Sequence, residues 1–110
     1  MNLQSHMLNE WKVLVPDEPR LDAYVAEEFK KRLLEAIEDG TRHLVLDLSG
    51  VEFMDSSGLG AIVYCLQRMA ENGSLAIAGA QEPVALMLRL THMDKVFVVV
   101  DEPENVLQES

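Results

Sequence analysis

The sequence has few of the residues that disulfides, metal sites and membrane spans require. Cys65 is the only cysteine in 110 residues, so no intramolecular disulfide and no Cys-x-x-Cys zinc pair can form. The three histidines, His6, His43 and His92, are far apart in the sequence. No apolar run approaches the roughly 20 residues that a membrane helix needs, and the N-terminus lacks the segments of a secretory signal. We therefore expect a protein of the reducing cytoplasm with no metal site.

Basic residues are also scarce. Nine Lys and Arg stand against 19 Asp and Glu, which gives a formal net charge of −10. Neutralising nucleic-acid phosphates or anionic lipids needs Lys and Arg, so we expect neither nucleic acid nor a membrane as a partner. A protein partner with a basic patch suits this surface better, because opposite potentials speed encounter. Solubility alone would also account for the charge.

Motifs that bind nucleotides or cofactors are absent. There is no P-loop and no G-x-G-x-x-G, and the Gly-Leu-Gly at 58–60 is too short to indicate a nucleotide site, so we expect no cofactor. A nucleophile at Ser57 would need a G-x-S-x-G elbow, which is missing, although a pairing with His92 stays open. Asp47 is similar to the phosphoacceptor of receiver domains, but the other acids and the lysine of that site are not in the required places. We expect Asp47 to bond to nearby backbone instead.

The length and composition indicate one globular domain. A chain of 110 residues has room for one modest core, and 48% hydrophobic with 25% charged residues is ordinary for such a domain. Residues 1–6 resemble a cloning remnant ahead of a natural start at Met7. We therefore exclude them from the predicted fold and assign residues 7–110 to the domain.

Segments typical of strands and helices alternate along the chain. Strands are predicted at residues 11–15, 44–48, 75–79 and 96–100, where β-prone or continuously apolar runs occur. Helices are predicted from an N-cap at Asp22 to Gly40, from near Ser56 to Asn72-Gly73, at 82–92 and at 103–107. This alternation predicts an α/β fold with a largely parallel sheet and right-handed crossovers.

The second predicted helix is apolar on more than one side. Its inner stripe is predicted to be Leu59, Ile62, Val63, Leu66, Met69 and Ala70. Its outer side carries Ala61, Tyr64 and Cys65. This outer side is either a partner surface or is covered by the neighbouring helix.

The start of this helix is the most unusual segment. If Ser56 is the N-cap, its hydroxyl is occupied, and Ser57 lies in the first turn with a free hydroxyl. Gly58 and Gly60 then keep side chains away from an approaching partner, although glycine in a helix costs up to about 1 kcal/mol against alanine. A phosphate on Ser57 would gain about 0.3–1 kcal/mol from the positive helix end. The pattern suits a phosphorylated serine, and it also suits an ordinary helix start.

Two stretches of the chain closely resemble the STAS domain of anti-sigma factor antagonists. They are residues 44–62, with Met-Asp-Ser-Ser-Gly-Leu-Gly at 54–60, and Arg-Leu-Asp-Ala at 20–23. The resemblance implies a small mixed, mostly parallel sheet of four to five strands with about four helices packed against it. It also implies that the unphosphorylated protein binds an anti-sigma factor and frees a sigma factor. That anti-sigma factor is a serine kinase, and a PP2C-type phosphatase reverses its action.

The same resemblance assigns the site residues. The phosphoacceptor is the second serine of the Asp-Ser-Ser-Gly motif, which is Ser57. The protein is then a kinase substrate without catalysis of its own. The expected supporting phosphosite and partner interface consists of Asp22, Asp55, Ser56, Gly58, Leu59 and Gly60.

The chain departs from this family near its N-terminus. Two strands usually precede the first helix, but only residues 11–15 are predicted here unless the segment before them also pairs. Pro19-Arg20 occupies the place of a glycine that is common in the family. A lost strand would expose a sheet edge and favour a homodimer or strand exchange. The loop at residues 16–22 is expected near the serine, so its change would affect partner docking.

Some STAS domains are constitutive adaptors, and this is the alternative function. They bind transporter ATPases or assemble into stress-signalling complexes without serine phosphorylation. The presence of Ser57 in the motif favours the switch over the adaptor.

Overall fold

The computed structural model describes residues 1–69 and 73–108, which fold into a five-stranded sheet, a separate two-stranded ribbon and helices. The seven strands are β1 (Asn2–Leu8), β2 (Trp11–Asp17), β3 (Arg20–Leu21), β4 (His43–Asp47), β5 (Phe53–Met54), β6 (Ser74–Ala78) and β7 (Val98–Val100). The α-helices are α1 (Ala26–Ile37), α2 (Ser56–Arg68) and α3 (Glu82–Leu90). Two 3-10 helices cover Met93–Lys95 and Pro103–Gln108.

The main sheet is mixed and mostly parallel. Its strand order is β1-β2-β4-β6-β7, and only the β1–β2 pairing is antiparallel. The remaining strands β3 and β5 pair in parallel with each other. The predicted α/β fold with a small, mostly parallel sheet is therefore confirmed.

The core divides between the two faces of the main sheet, because successive strand residues point to opposite faces. The face under the three α-helices carries Leu14, Leu44, Leu46, Leu75 and Ile77. The other face carries Val13, Val45, Ala76 and Ala78, which pack with Val106 of the Pro103–Gln108 helix. Both faces are covered, which explains why the central strands are continuously apolar in the sequence.

Strand β1 corrects the prediction for residues 1–6. The whole of Asn2–Leu8 pairs with β2, from Asn2 opposite Asp17 to Leu8 opposite Trp11. The exclusion of residues 1–6 from the fold was wrong, because this pairing uses backbone groups, and an exposed polar strand shows no apolar pattern. The two strands expected before α1 are both present, so the dimerisation argument from a lost strand loses its basis. A cloning origin for residues 1–6 stays a prediction.

Helix α1 begins later than predicted. Asp22 is not its N-cap: the carboxylate of Asp22 accepts a hydrogen bond from the Tyr24 amide at 3.1 Å and so closes a local turn. The N-cap is Val25, which has no side-chain capping bond. The stop near Gly40 is confirmed, because α1 ends at Ile37 and the Gly40 amide donates to the Ile37 carbonyl at 3.1 Å.

The later elements differ from the predictions at their ends. Helix α3 ends at Leu90 rather than at residue 92, and β7 begins at Val98 rather than at residue 96. The intervening chain forms the Met93–Lys95 turn of 3-10 helix, and Phe97 is buried. Helix α2 ends at Arg68. The predicted stop at Asn72 and the predicted inner position Ala70 lie outside the described residues.

The outer side of α2 is covered by the neighbouring helix. Ala61 is 4% exposed and Cys65 is fully buried, in the cluster that contains Phe29 and Leu33 of α1. Burial raises the pKa of the Cys65 thiol to about 11, so the thiol stays neutral and unreactive near neutral pH. Tyr64 is the member of this side that stays partly exposed.

Candidate functional site

The β3–β5 ribbon brings the two sequence stretches of the predicted site together. Leu21 pairs with Met54, and both side chains are buried. The Leu21 carbonyl accepts a hydrogen bond from the Asp55 amide at 3.2 Å. The Pro19 carbonyl accepts from the amides of residues 52 and 53 at 2.7 and 3.1 Å. The expectation that the loop at 16–22 lies beside the serine motif is therefore confirmed.

The N-cap of α2 is Asp55. Its carboxylate oxygen Oδ1 accepts hydrogen bonds from the amides of Ser57 at 2.8 Å and Gly58 at 3.1 Å. The predicted cap at Ser56 was wrong, because the preceding aspartate reaches the same amides and Ser56 is already the first helical residue. The cap argument for Ser57 over Ser56 therefore fails, and both serines are exposed.

The two glycines of the motif have different environments. A Cβ on Gly58 would lie 2.2 Å from the Leu21 carbonyl oxygen, so a side chain here would displace the ribbon. Gly60 is exposed and a Cβ there would meet nothing within 4 Å, which fits the expected open surface. Leu59 is 7% exposed and packs in the core. Gly58 thus serves the close approach of α2 to β3.

Asp22 lies beside the motif but bonds within its own loop. Besides the Tyr24 amide, it contacts Arg20, whose Nε lies 3.3 Å from the second carboxylate oxygen. The Arg20 guanidinium also stacks over the Phe53 ring, 4.4 Å from its centroid. The ribbon therefore presents an exposed Arg20–Phe53 pair next to the start of α2.

Ser57 opens onto a groove between α1 and α2. This groove has a volume of about 330 Å³. Its α2 wall carries Ser57, Gly60, Ala61 and Tyr64. Its opposite wall carries Ala26, Glu27 and Lys30 of α1, together with Ala23 in the turn before α1. Within residues 1–69 and 73–108, no group hydrogen-bonds to the Ser57 hydroxyl. The hydroxyl is thus accessible and chemically available.

Two cations gather around the ring of Tyr64 at this groove. The Lys30 ammonium lies 4.9 Å from the ring centroid and 3.5 Å from a Glu27 carboxylate oxygen. The Arg68 guanidinium also lies 4.9 Å from the centroid and donates to the Tyr64 hydroxyl at 2.6 Å. Two cationic side chains therefore lie on the Tyr64 ring near Ser57, one of them paired with the Glu27 carboxylate.

Comparison with known proteins decides the family. A model of the STAS domain matches residues 7–109. An anti-sigma F factor antagonist of Paenibacillus polymyxa is 31% identical over 112 residues, which cover 99% of this chain and 96% of that protein. The chain belongs to the STAS family of anti-sigma factor antagonists. An anti-sigma-B factor antagonist of Staphylococcus aureus is 31% identical over 85 residues, covering 76% of this chain and 79% of that one.

The same family is found among solved structures. A candidate anti-sigma factor antagonist from Thermotoga maritima superposes with a TM-score of 0.88 at 27% identity, covering 97% of this chain and 92% of that one. The Asp-Ser-Ser-Gly motif at the start of α2 therefore lies in a chain with the STAS fold. This chain contains the β3–β5 ribbon and the two N-terminal strands β1 and β2.

Asp47, the residue similar to a receiver phosphoacceptor, lies at the end of β4. Asp47 accepts a hydrogen bond from the Ser49 amide at 3.1 Å, as expected for a residue that ends a strand. In the part of the chain that the structure describes, no group of three or more His, Cys, Asp or Glu could hold a metal ion. None of the helices among these residues is long and apolar enough to cross a membrane.

Sequence reasoning missed the α1 wall of the groove. Ala26, Glu27 and Lys30 recur at helical spacing on α1, as do Ser57, Gly60, Ala61 and Tyr64 on α2. The signal was present in each helix, but nothing in the sequence showed that these two faces would meet.

Proposed function

We propose that the unphosphorylated STAS domain binds an anti-sigma factor and so releases a sigma factor, and that phosphorylation of Ser57 ends this binding. The observation that carries the proposal is the exposed Ser57 hydroxyl, which has no partner in the described chain and lies on a firmly capped helix start. The similarity to relatives named as anti-sigma factor antagonists supports the partner class.

Ser57 is favoured over Ser56 by its place in the groove and by the family motif. Ser57 lines the α1–α2 groove, beside Lys30 and Tyr64. In the family motif the second serine accepts the phosphate. Ser56 is also exposed, one residue earlier, so it provides a matched control.

The switch acts by blocking a surface. Asp55 already holds the first turn of α2, so a phosphate on the exposed Ser57 requires no refolding. Nearly two negative charges inside a protein interface cost about 2–5 kcal/mol, which is roughly 30-fold to several-thousand-fold in affinity. The supporting interface would include Asp22, Asp55, Ser56, Gly58, Leu59 and Gly60, of which Leu59 and Gly58 act by positioning the helix start.

In this account the protein is a substrate of phosphoryl transfer and performs no catalysis. The anti-sigma kinase supplies the phosphate from ATP, a PP2C-type phosphatase removes it, and the cycle takes place in the cytoplasm.

The test is phosphosite mapping of the protein isolated from its native host, by intact mass and peptide analysis. We expect one phosphate on Ser57, absent from Ser57→Ala and retained in Ser56→Ala. A phosphate on Ser56 would move the acceptor by one residue. An unmodified protein under all growth conditions would overturn the switch and favour a constitutive STAS adaptor.

A further inference from the structure

We infer that Lys30 is the internal counter-charge for a phosphate on Ser57, so that the phosphorylated side chain is held in the groove between α1 and α2. This inference rests on the proposed phosphorylation of Ser57. It adds Lys30 of α1 to a site that otherwise consists of the start of α2 and the loop that carries Asp22.

Most of the backbone amides at the start of α2 already donate hydrogen bonds, so few remain to bind a phosphate. The amides of Ser57 and Gly58 both donate to the Asp55 carboxylate, and the Leu59 amide donates to the Asp55 carbonyl at 3.0 Å. The amides of Ser57, Gly58 and Leu59, three of the first-turn amides that could bind an anion, are therefore engaged. Asp55 also places a negative charge beside the serine. A counter-charge for the phosphate has to come from another element.

Lys30 is placed to supply it. It lines the same groove as Ser57, and its side chain is 32% exposed, so the groove partly shields it from water. Four of the other six residues that line the groove have no side chain larger than a methyl group: Ala23, Ala26, Gly60 and Ala61. The flexible lysine stem can therefore swing toward the serine without displacing a bulky neighbour.

Lys30 can leave its two present partners, the Glu27 carboxylate and the Tyr64 ring, at little cost. Its Nζ lies 3.5 Å from Glu27, a long ion pair, and the Glu27 side chain is 89% exposed and can turn into water. A phosphoserine carries about −1.5 to −2 charge, so it attracts the ammonium more strongly than one carboxylate does. Tyr64 keeps its place without Lys30, because Arg68 still stacks on the ring and bonds to its hydroxyl.

The surrounding charges define what the phosphate experiences. The groups facing this region are Glu27 and Lys30 on α1, Asp55 at the cap, the Tyr64 phenol and Arg68 on α2. Lys30 is the one cation among the groove-lining residues of the described chain. The Lys30–phosphate pair would tie α1 to α2 only in the phosphorylated protein.

The test uses phosphoserine installed at position 57 during translation, so no kinase is needed. The phosphate is titrated by phosphorus NMR at low salt in the full chain, in Lys30→Gln and in Lys31→Gln. Lys31 is the matched control, because it is the next residue on α1, is exposed and does not line the Ser57 groove. Equal thermal midpoints of the unphosphorylated variants confirm that both fold.

We expect the second acid dissociation constant of the phosphate to fall about two- to fivefold in Lys30→Gln, because a cation favours the doubly charged form. Lys31→Gln should change it far less. Equal changes in both variants, or none in Lys30→Gln, would overturn the inference. Failure to find phosphate on Ser57 in the native host would instead count against the proposed function, since this titration does not depend on a kinase.

Discussion

At the scale of single residues, Gly58 determines how closely the helix start approaches the ribbon. A Cβ atom on Gly58 would point at the Leu21 carbonyl oxygen. The same oxygen accepts a hydrogen bond from the Asp55 amide. Three parts of the site therefore converge at one carbonyl group: the ribbon, the cap and the first turn that carries Ser57. The family motif identifies this glycine, and the structure gives its physical reason.

Replacing Gly58 by alanine should destabilise the protein. The added methyl group would lie 2.2 Å from a backbone oxygen, so the ribbon or α2 must shift. Overpacking of this kind typically costs about 1–3 kcal/mol, which exceeds the gain of up to about 1 kcal/mol from helix propensity. We expect a lower free energy of unfolding in urea for Gly58→Ala.

Gly60→Ala is the control for this prediction. A Cβ at Gly60 meets nothing within 4 Å, so helix propensity alone should leave stability unchanged or raise it by up to about 1 kcal/mol. Equal stabilities of the two alanine variants would show that the contact between Gly58 and Leu21 is unimportant.

At the scale of the elements, β1 forms the edge strand of the main sheet, and the residue before it contacts α1. The Met1 amino group lies 3.0 Å from the Glu28 carboxylate, and Arg32 donates to the Met1 carbonyl at 3.0 Å. Met1 and Leu3 also pack against the core. The strand therefore covers β2 and joins the helix layer.

A chain that begins at Met7 should lose stability and associate more readily than the full chain. It lacks the pairs from Asn2–Asp17 to His6–Val13, together with the packing of Met1 and Leu3. Both side chains are half-buried, so losing their packing should cost about 1–3 kcal/mol in total, and an uncovered strand edge favours association. Urea unfolding and size-exclusion chromatography provide the measurements. Unchanged stability in a monomer would show that β1 is dispensable.

A second link between elements joins β2 to the end of α1. Lys12 donates to the Asp39 carboxylate and to the Ala36 carbonyl, both at 2.8 Å. The hydrogen bond from Lys12, followed by that from Thr41, lowers the pKa of Asp39 from 3.8 to about 2. Because the folded value lies below the unfolded value, the contribution to stability is present above pH 3.8. It is lost as the pH falls toward 2.

Asp39→Asn should therefore be less stable than the natural chain at pH 7. The difference should shrink between pH 4 and pH 2 and vanish below that range. Because the Asp39 side chain is largely exposed, the loss should be small. Glu38→Gln is the control, since Glu38 is a neighbouring acid with no ion pair among the described residues. A difference between the natural chain and Asp39→Asn that does not depend on pH would contradict this account.

The elements also show which parts of the fold the sequence could predict. The central strands and α1 to α3 were predictable, because apolar period and burial agree in residues such as Leu44, Leu46, Phe29 and Leu33. Strand β1 was not, because its mostly exposed residues show no apolar pattern. The ribbon was not, because it pairs two segments that are distant in the sequence. The cap was assigned one residue late, because both Asp55 and Ser56 are good capping residues. Likewise, the motif identified Ser57 but not Lys30, which lies on another helix.

At the scale of the whole molecule, the fold holds the backbone of the site in place, while phosphorylation of Ser57 would change its charge. The helix start is fixed by Asp55, Gly58 and the ribbon, and the surface around it belongs to a protein of net charge −10. A phosphate on Ser57 would change the charge at the surface near the start of α2 and leave the backbone of the helix start and the ribbon unchanged. Partner binding, rather than folding, should therefore respond to phosphorylation.

The central claim is tested most directly by the affinity of the anti-sigma factor that copurifies with the unphosphorylated chain. Calorimetry should compare the natural chain, the Ser57 phosphoprotein, Ser57→Asp and Ser56→Asp, with thermal midpoints measured alongside. The account predicts that the Ser57 phosphoprotein binds at least about 30-fold more weakly with a nearly unchanged midpoint, and that Ser57→Asp weakens binding more than Ser56→Asp. Full affinity in a well-folded Ser57 phosphoprotein would contradict it.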